Sequence, residues 1–163
     1  MSQGNVARAL LSDVALTSFR LNGQLLAVAE ELARPVGLTA AWWQVLGAAL
    51  GEPQSVSEIA RAMGLTRQSV QRIADLLVER GLAAYAENPA HRRAKLVTPT
   101  SAGRAAVAAI NPAHRVRAEA LAAEMGSDRL SDIVAGMHEL SAALDRLEAR
   151  GPSRRRAAST TAS

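Results

Sequence analysis

The stretch that most constrains this chain is residues 57–99, because its punctuation admits few folds. Ser57 can cap a short helix over residues 58–63, with Glu58 favourably placed near the positive end of the dipole, and Gly64 stops it. Thr66 can cap a second helix that continues to Arg80 and halts at Gly81. Two short helices joined by a glycine turn make a helix-turn-helix. The apolar period then changes. Residues 82–87 and 95–98 read as two short strands around the loop Asn88-Pro89-Ala90-His91-Arg92-Arg93-Ala94, which is polar, basic and longer than a two-residue turn. Pro99 is expected to end the second strand, and Thr100 to cap the next helix.

Helices are expected on both sides of this unit. Alanine supplies 35 of 163 residues, and it is the strongest helix former. Val6, Leu10, Val14, Leu21, Leu25, Val28 and Leu32 recur at helical spacing, which predicts one long helix over 5–33 that ends before Arg34-Pro35. Thr39 can cap the next helix, with Trp43, Leu46 and Leu50 on one face, and Gly51-Glu52-Pro53 ends it. Adjacent helical residues point about 100° apart. Trp43 is therefore assigned to the core, and Trp42 is left to line a cavity, a dimer interface or a second packing surface. Residues 101–125 read as one helix kinked at Asn111-Pro112. A last helix starts at Ser127-Asp128 and carries Leu130, Ile133, Met137, Leu140, Leu144 and Leu147 as an apolar stripe. Residues 151–163 read as a disordered basic tail. The expected fold is mainly α with a small β-hairpin wing. A winged helix-turn-helix lobe occupies 38–101, and long helices over 1–34 and 102–150 form a dimerisation region.

The charge points to a polyanion. The whole chain has a net charge of +4, and residues 56–104 set seven arginines and Lys95 against Glu58, Asp75, Glu79 and Glu87. On the second helix of the pair, Val70, Ile73, Ala74 and Leu77 share the inner face. Thr66, Arg67, Gln68, Ser69, Gln71 and Arg72 crowd its first turns. These are residue types that read base edges when a helix enters the major groove by its N-terminus. A merely solvated polar face has a similar composition, but the wing adds a second basic element with His91, Arg92, Arg93 and Lys95.

Leu38-Thr39, Trp43-Gln44-Val45-Leu46, Ser57-Glu58-Ile59-Ala60, Arg67-Gln68-Ser69-Val70, Gly81-Leu82, Asn88-Pro89, Arg92-Arg93, Leu96-Val97, Thr100 and Gly103-Arg104, spread over residues 38–104, together resemble the MarR family of bacterial winged-helix transcription regulators. The resemblance implies a homodimer interlocked through its first and last helices. It also implies binding to double-stranded DNA and a small aromatic or phenolic effector held between the helical region and the DNA-binding lobe, releasing a repressor. Three positions depart from the family pattern. His91 stands where the family usually has Asp, so the wing is expected to be looser or pH-sensitive. Pro99 stands where Leu is usual, and Trp42 stands where a polar residue is usual. Leu16, Phe19 and Trp42 are the candidate pocket walls.

The sequence also excludes several chemistries. It has no cysteine, hence no disulfide, thiolate catalysis or thiol redox switch. His91, His114 and His138 lack metal-ligand spacing, and no G-x-S-x-G, P-loop or G-x-G-x-x-G occurs. No cofactor, metal or enzymatic activity is expected. Arg8 and Asp13 interrupt any signal-peptide core, and no apolar run is long enough for a membrane span, so a cytoplasmic, bacterial setting is expected. The competing reading is a winged-helix protein-interaction module or a sequence-independent architectural DNA binder. Base-reading chemistry on the second helix argues against both.

Overall fold

The computed structural model describes residues 3–91 and 93–150. By internal contacts the chain divides into two units, one up to Arg115 and one from Val116 onward. Arg92 and the expected tail over 151–163 lie outside the described residues.

In the first unit, α1 spans Gln3–Ala33 and gives way to a single 3-10 turn over Arg34–Val36, where Pro35 was expected to break it. α2 (Ala40–Ala48) is capped by Thr39, whose hydroxyl accepts from the Trp42 N–H at 3.2 Å. The Ala40 N–H donates to the Glu30 carboxylate at 2.8 Å, which ties α2 back to α1.

The next helix begins earlier than its sequence suggests. α3 spans Val56–Met63 and its cap is Ser55, not Ser57. Ser55 and Glu58 close a reciprocal capping box: the Glu58 N–H donates to Ser55 Oγ at 3.3 Å, and the Ser55 N–H donates to Glu58 Oε2 at 2.7 Å. Gly64 ends α3 at φ 62, a backbone conformation that costs glycine little. α4 spans Arg67–Glu79 behind the Thr66 cap, with Val70, Ala74 and Leu77 buried.

The sheet has three strands, not two. β1 (Gln54–Ser55), β2 (Ala83–Ala86) and β3 (Leu96–Pro99) lie in the antiparallel order β1-β3-β2. Tyr85 and Gln54 both pair with Val97. Pro99 ends β3 as its last residue, opposite Ala83. The Thr100 N–H donates toward β2, to the Leu82 carbonyl at 3.0 Å. Successive backbone groups alternate sides, so the N–H that Pro99 lacks would face the other side, beyond the reach of two-residue β1.

Thr100 caps α5 (Ser101–Ala108), and its hydroxyl donates to the Gly81 carbonyl at 2.7 Å. Gly103 of α5 lies against the Leu82 backbone so closely that a Cβ there would run into the Leu82 carbonyl oxygen. The expected single kinked helix is instead two helices. α5 stops, buried Ile110 turns the chain, and α6 covers Asn111–Met125. Pro112 stands in the first turn of α6, where no helical N–H partner is needed, so it starts a helix and does not kink one. The core of this unit gathers Leu32, Val45, Leu46, Ile59, Leu77 and Ile110.

The second tryptophan assignment also reverses. Trp42 is the core residue, 9% exposed, while Trp43 is half-buried and meets the His114 ring edge-on at 5.6 Å. The buried stripe of α2 is Trp42, Val45, Leu46 and Ala49, at i, i+3, i+4 and i+7.

In the second unit, α7 covers Ser127–Arg150 and exposes Val134, Met137, Leu140, Leu144 and Leu147. Among the described residues no helix is long and apolar enough to cross a membrane.

Candidate nucleic-acid interface

α4 is presented by α3, and its inner face is held by Val70, Ala74 and Leu77. Its outer residues do three different jobs. Thr66 and Ser69 are spent on the cap: the Ser69 N–H donates to Thr66 Oγ1 at 3.1 Å, and the two hydroxyls lie 2.8 Å apart. Arg67, Gln68 and Arg72 are exposed on the first two turns. Gln71 is half-buried, and its Nε2 donates to Asp75 Oδ1 at 2.9 Å and to the Tyr85 hydroxyl at 2.7 Å.

Tyr85 closes the triangle by donating its own hydroxyl proton to Asp75 Oδ1 at 2.6 Å. Burial first, then the Asp75 hydrogen bond and charge, push the Tyr85 hydroxyl up to about 12, so it stays protonated across the physiological range. Tyr85 lies on β2, so this triangle joins the wing to α4. The triangle was not expected from the sequence, although Asp75 stands four residues beyond Gln71 on the same helix, a spacing that lets the two side chains meet.

The wing loop is shaped by Asn88, whose Oδ1 accepts from the Ala90 N–H at 2.9 Å and the His91 N–H at 3.2 Å. His91, Arg93 and Lys95 are exposed. Lys95 holds its Nζ 5.8 Å from the centre of the Tyr85 ring. Between wing and helix pair runs a groove of about 290 Å³, with Arg67 and Gln71 on one wall and Tyr85, Arg93 and Lys95 on the other. Arg67 and Gln71 also line a second concavity with Gln68 and Arg72 along the outer face of α4. Arg67 of α4 and Arg93 and Lys95 of the wing thus converge on one groove, a shape and sign that suit a sugar-phosphate backbone.

Behind the groove, the Ser55 backbone N–H and then its hydroxyl hold the Glu58 carboxyl below its ordinary value, with the charges of Arg61 and His91 helping. Arg80, at the C-terminal end of α4, stacks its guanidinium 4.3 Å over the Trp42 ring. Leu16 and Phe19 are 68% and 73% exposed on α1, and the hollow beside Leu16 is lined by Ala9, Leu10, Ser12 and Asp13, without Phe19 or Trp42. One chain does not bring the three candidate pocket residues onto one wall.

The sequence profile of the MarR family matches residues 36–94, the stretch from the end of α1 through the wing. An uncharacterized protein of Mycobacterium tuberculosis is 41% identical over 101 residues, which is 62% of this chain and 68% of the relative. The chain belongs to the MarR family. Solved structures of transcription regulators and of a DNA-binding protein share its fold. BldR from Sulfolobus solfataricus aligns over 87% of this chain and 99% of its own, with a TM-score of 0.70 and 18% identity. The repressor CouR of Rhodococcus jostii, bound to a 23-mer DNA duplex, aligns over 86% and 98%, with a TM-score of 0.67 and 24% identity. Bordetella bronchiseptica BpsR, whose DNA binding is regulated by 6-hydroxynicotinic acid, aligns over 79% and 98%, with a TM-score of 0.67 and 25% identity. The MarR family is one of transcription regulators, and in this winged-helix fold α3 and α4 are the helix pair and the β2–β3 hairpin is the wing.

Proposed function

We propose that this chain is a homodimeric regulator that reads a pseudo-palindromic operator in double-stranded DNA and represses until a small aromatic or phenolic molecule releases it. One observation carries the DNA-reading part: Arg67, Gln68 and Arg72, exposed on the first turns of α4, share one groove system with Arg93 and Lys95 of the wing. Arg72 and Gln68 are assigned to base edges, and Arg93 and Lys95, together with His91 and its sequence neighbour Arg92, to the backbone or minor groove. Thr66 and Ser69 hold the N-terminus of α4 in shape to approach phosphate.

Dimerisation is supported by the apolar side chains left in water on α1 (Leu10, Leu11, Leu16, Phe19, Leu25) and on α7. A two-fold pair sets two recognition helices about 34–36 Å apart, one DNA turn. The effector is supported by BpsR and by CouR, which binds p-coumaroyl-CoA. Leu16 and Phe19 would supply one wall of its site, and a second protomer would close it. Trp42 is committed to the core beneath Arg80 and is withdrawn from that wall.

Site selection from random DNA, followed by salt titrations, tests the assignment. Arg72→Ala is expected to cost about 1–3 kcal/mol on the selected duplex and little on a scrambled one. Arg93→Ala is expected to weaken both and to lower the salt slope by about 0.9 for one phosphate contact. Equal losses on both duplexes from Arg72→Ala overturn the base-reading role.

A further inference from the structure

The Gln71 amide is not free to read a base as glutamine ordinarily does. An amide nitrogen carries two hydrogens. One goes to Asp75 Oδ1 at 2.9 Å and the other to the Tyr85 oxygen at 2.7 Å. The triangle itself fixes which end of the amide faces inward. A carboxylate only accepts, and the single Tyr85 proton is already given to Asp75 at 2.6 Å. Both neighbours therefore demand a donor from Gln71, and only its nitrogen can supply one. Gln71 Oε1 accepts no hydrogen bond among the described residues, and Gln71 stands where the outer concavity of α4 meets the wing groove.

Glutamine ordinarily recognises adenine by two bonds, donating to N7 while accepting from the N6 amino group. A Gln71 with both hydrogens committed has only the accepting half. In the major groove, amino donors are offered by adenine N6 and cytosine N4 and by no other base. We propose that Tyr85 is a specificity-determining positioning residue: with Asp75 it occupies both amide hydrogens of Gln71, so Gln71 acts as a pure acceptor and selects adenine or cytosine, undiscriminated, at its base pair. The proposal deepens the DNA-reading function proposed above and rests on it. Tyr85 touches no base in this scheme; it acts through Gln71 from the wing strand. The wing thereby sets the base preference of the recognition helix without contacting the base. The raised Tyr85 proton affinity keeps the triangle intact at working pH.

The test is site selection with the full-length protein. The base pair that Gln71 reads is the position whose preference vanishes in Gln71→Ala. In wild type that position is expected to hold adenine or cytosine on one strand, with guanine and thymine excluded. Tyr85→Phe frees one amide hydrogen, and the position is expected to narrow to adenine, favoured over cytosine about tenfold for one added bond in a bidentate contact. Asp75→Ala frees the other hydrogen and provides a second variant with the same expected narrowing. NMR of the DNA-free protein follows the Gln71 side-chain amide directly: its protons are expected to shift and exchange faster in Tyr85→Phe. Unchanged base preference in both variants, a uniform loss of affinity on every sequence, or an adenine-only position in wild type overturns the proposal. No enriched site with wild type overturns the DNA-reading function itself, and the amide signals then show whether the triangle exists apart from it.

Discussion

Replacing Gly103 by alanine should destabilise the first unit, although alanine is the better helix residue. Gly103 lies inside α5, where the swap on its own contributes about 1 kcal/mol in favour of the variant. Here the new methyl would meet the Leu82 carbonyl oxygen, with the Leu82 carbon at 3.0 Å and Leu46 Cδ2 at 3.4 Å. Two of these three atoms belong to backbone, and that oxygen already accepts from the Thr100 N–H at 3.0 Å. The way out is for α5 to move off. That pulls on the Thr100 bond, on the Arg104 Nη1 bond to the Leu50 carbonyl at 2.9 Å and on buried Val107. Overpacking of this kind costs about 1–3 kcal/mol, and one lost hydrogen bond adds about 1. After the propensity gain, the net loss is about 2 kcal/mol. Gly47 is the matched control, since it is helical in the same unit and nothing lies within 4 Å of a Cβ there. Urea unfolding at equal protein concentration reads both variants. Gly103→Ala should lower the midpoint by about 1 M at an m-value near 2 kcal/mol/M, while Gly47→Ala should raise it. A Gly103→Ala midpoint at or above wild type refutes the close approach of α5 to Leu82.

Tyr85 is the only tyrosine in the chain, so tyrosinate absorbance follows it alone. Its folded value of about 12 stands above the ordinary 10.0, so the stability carried by the protonated hydroxyl is fully present below pH 10.0 and is lost as pH rises toward 12. A titration midpoint near 10.0 in folded protein contradicts the triangle, and Asp75→Asn should bring the midpoint down. Glu58 carries the opposite sign. Its folded value lies below 4.5, so its contribution is present above pH 4.5 and is lost as pH falls through the folded value. The stability gap between wild type and Glu58→Gln should therefore shrink in acid; a gap constant from neutral pH downward argues against the capping box.

Features written in local chemistry were legible in the sequence, and those that depend on what packs alongside were not. Thr39, Thr66 and Thr100 are caps because a hydroxyl before a helix meets its own backbone, whatever surrounds it. The inner face of α4 follows from spacing alone. Ser55 was missed although Ser55-Val56-Ser57-Glu58 fits the capping-box spacing, because Ser57 is also an acceptable cap. β1 has two residues and therefore no period; only its pairing with Leu96 and Val97 makes it a strand. Trp42 and Trp43 were interchanged because α2 is enclosed by α1, α4 and α5, so more than one of its faces meets protein. In the interface, residue types marked Arg67, Gln68 and Arg72. The engagement of Gln71 with β2 joins residues 14 apart and left no mark in spacing.

The tandem tryptophans give α2 a ring contact on each of two sides. Trp42 bears on Arg80, the residue that closes the C-terminal end of α4, and Trp43 bears on His114 in the first turn of α6. Adjacent positions on one rigid helix cannot turn independently. Two ring contacts therefore link the first turn of α6, across the width of α2, to the C-terminal end of α4.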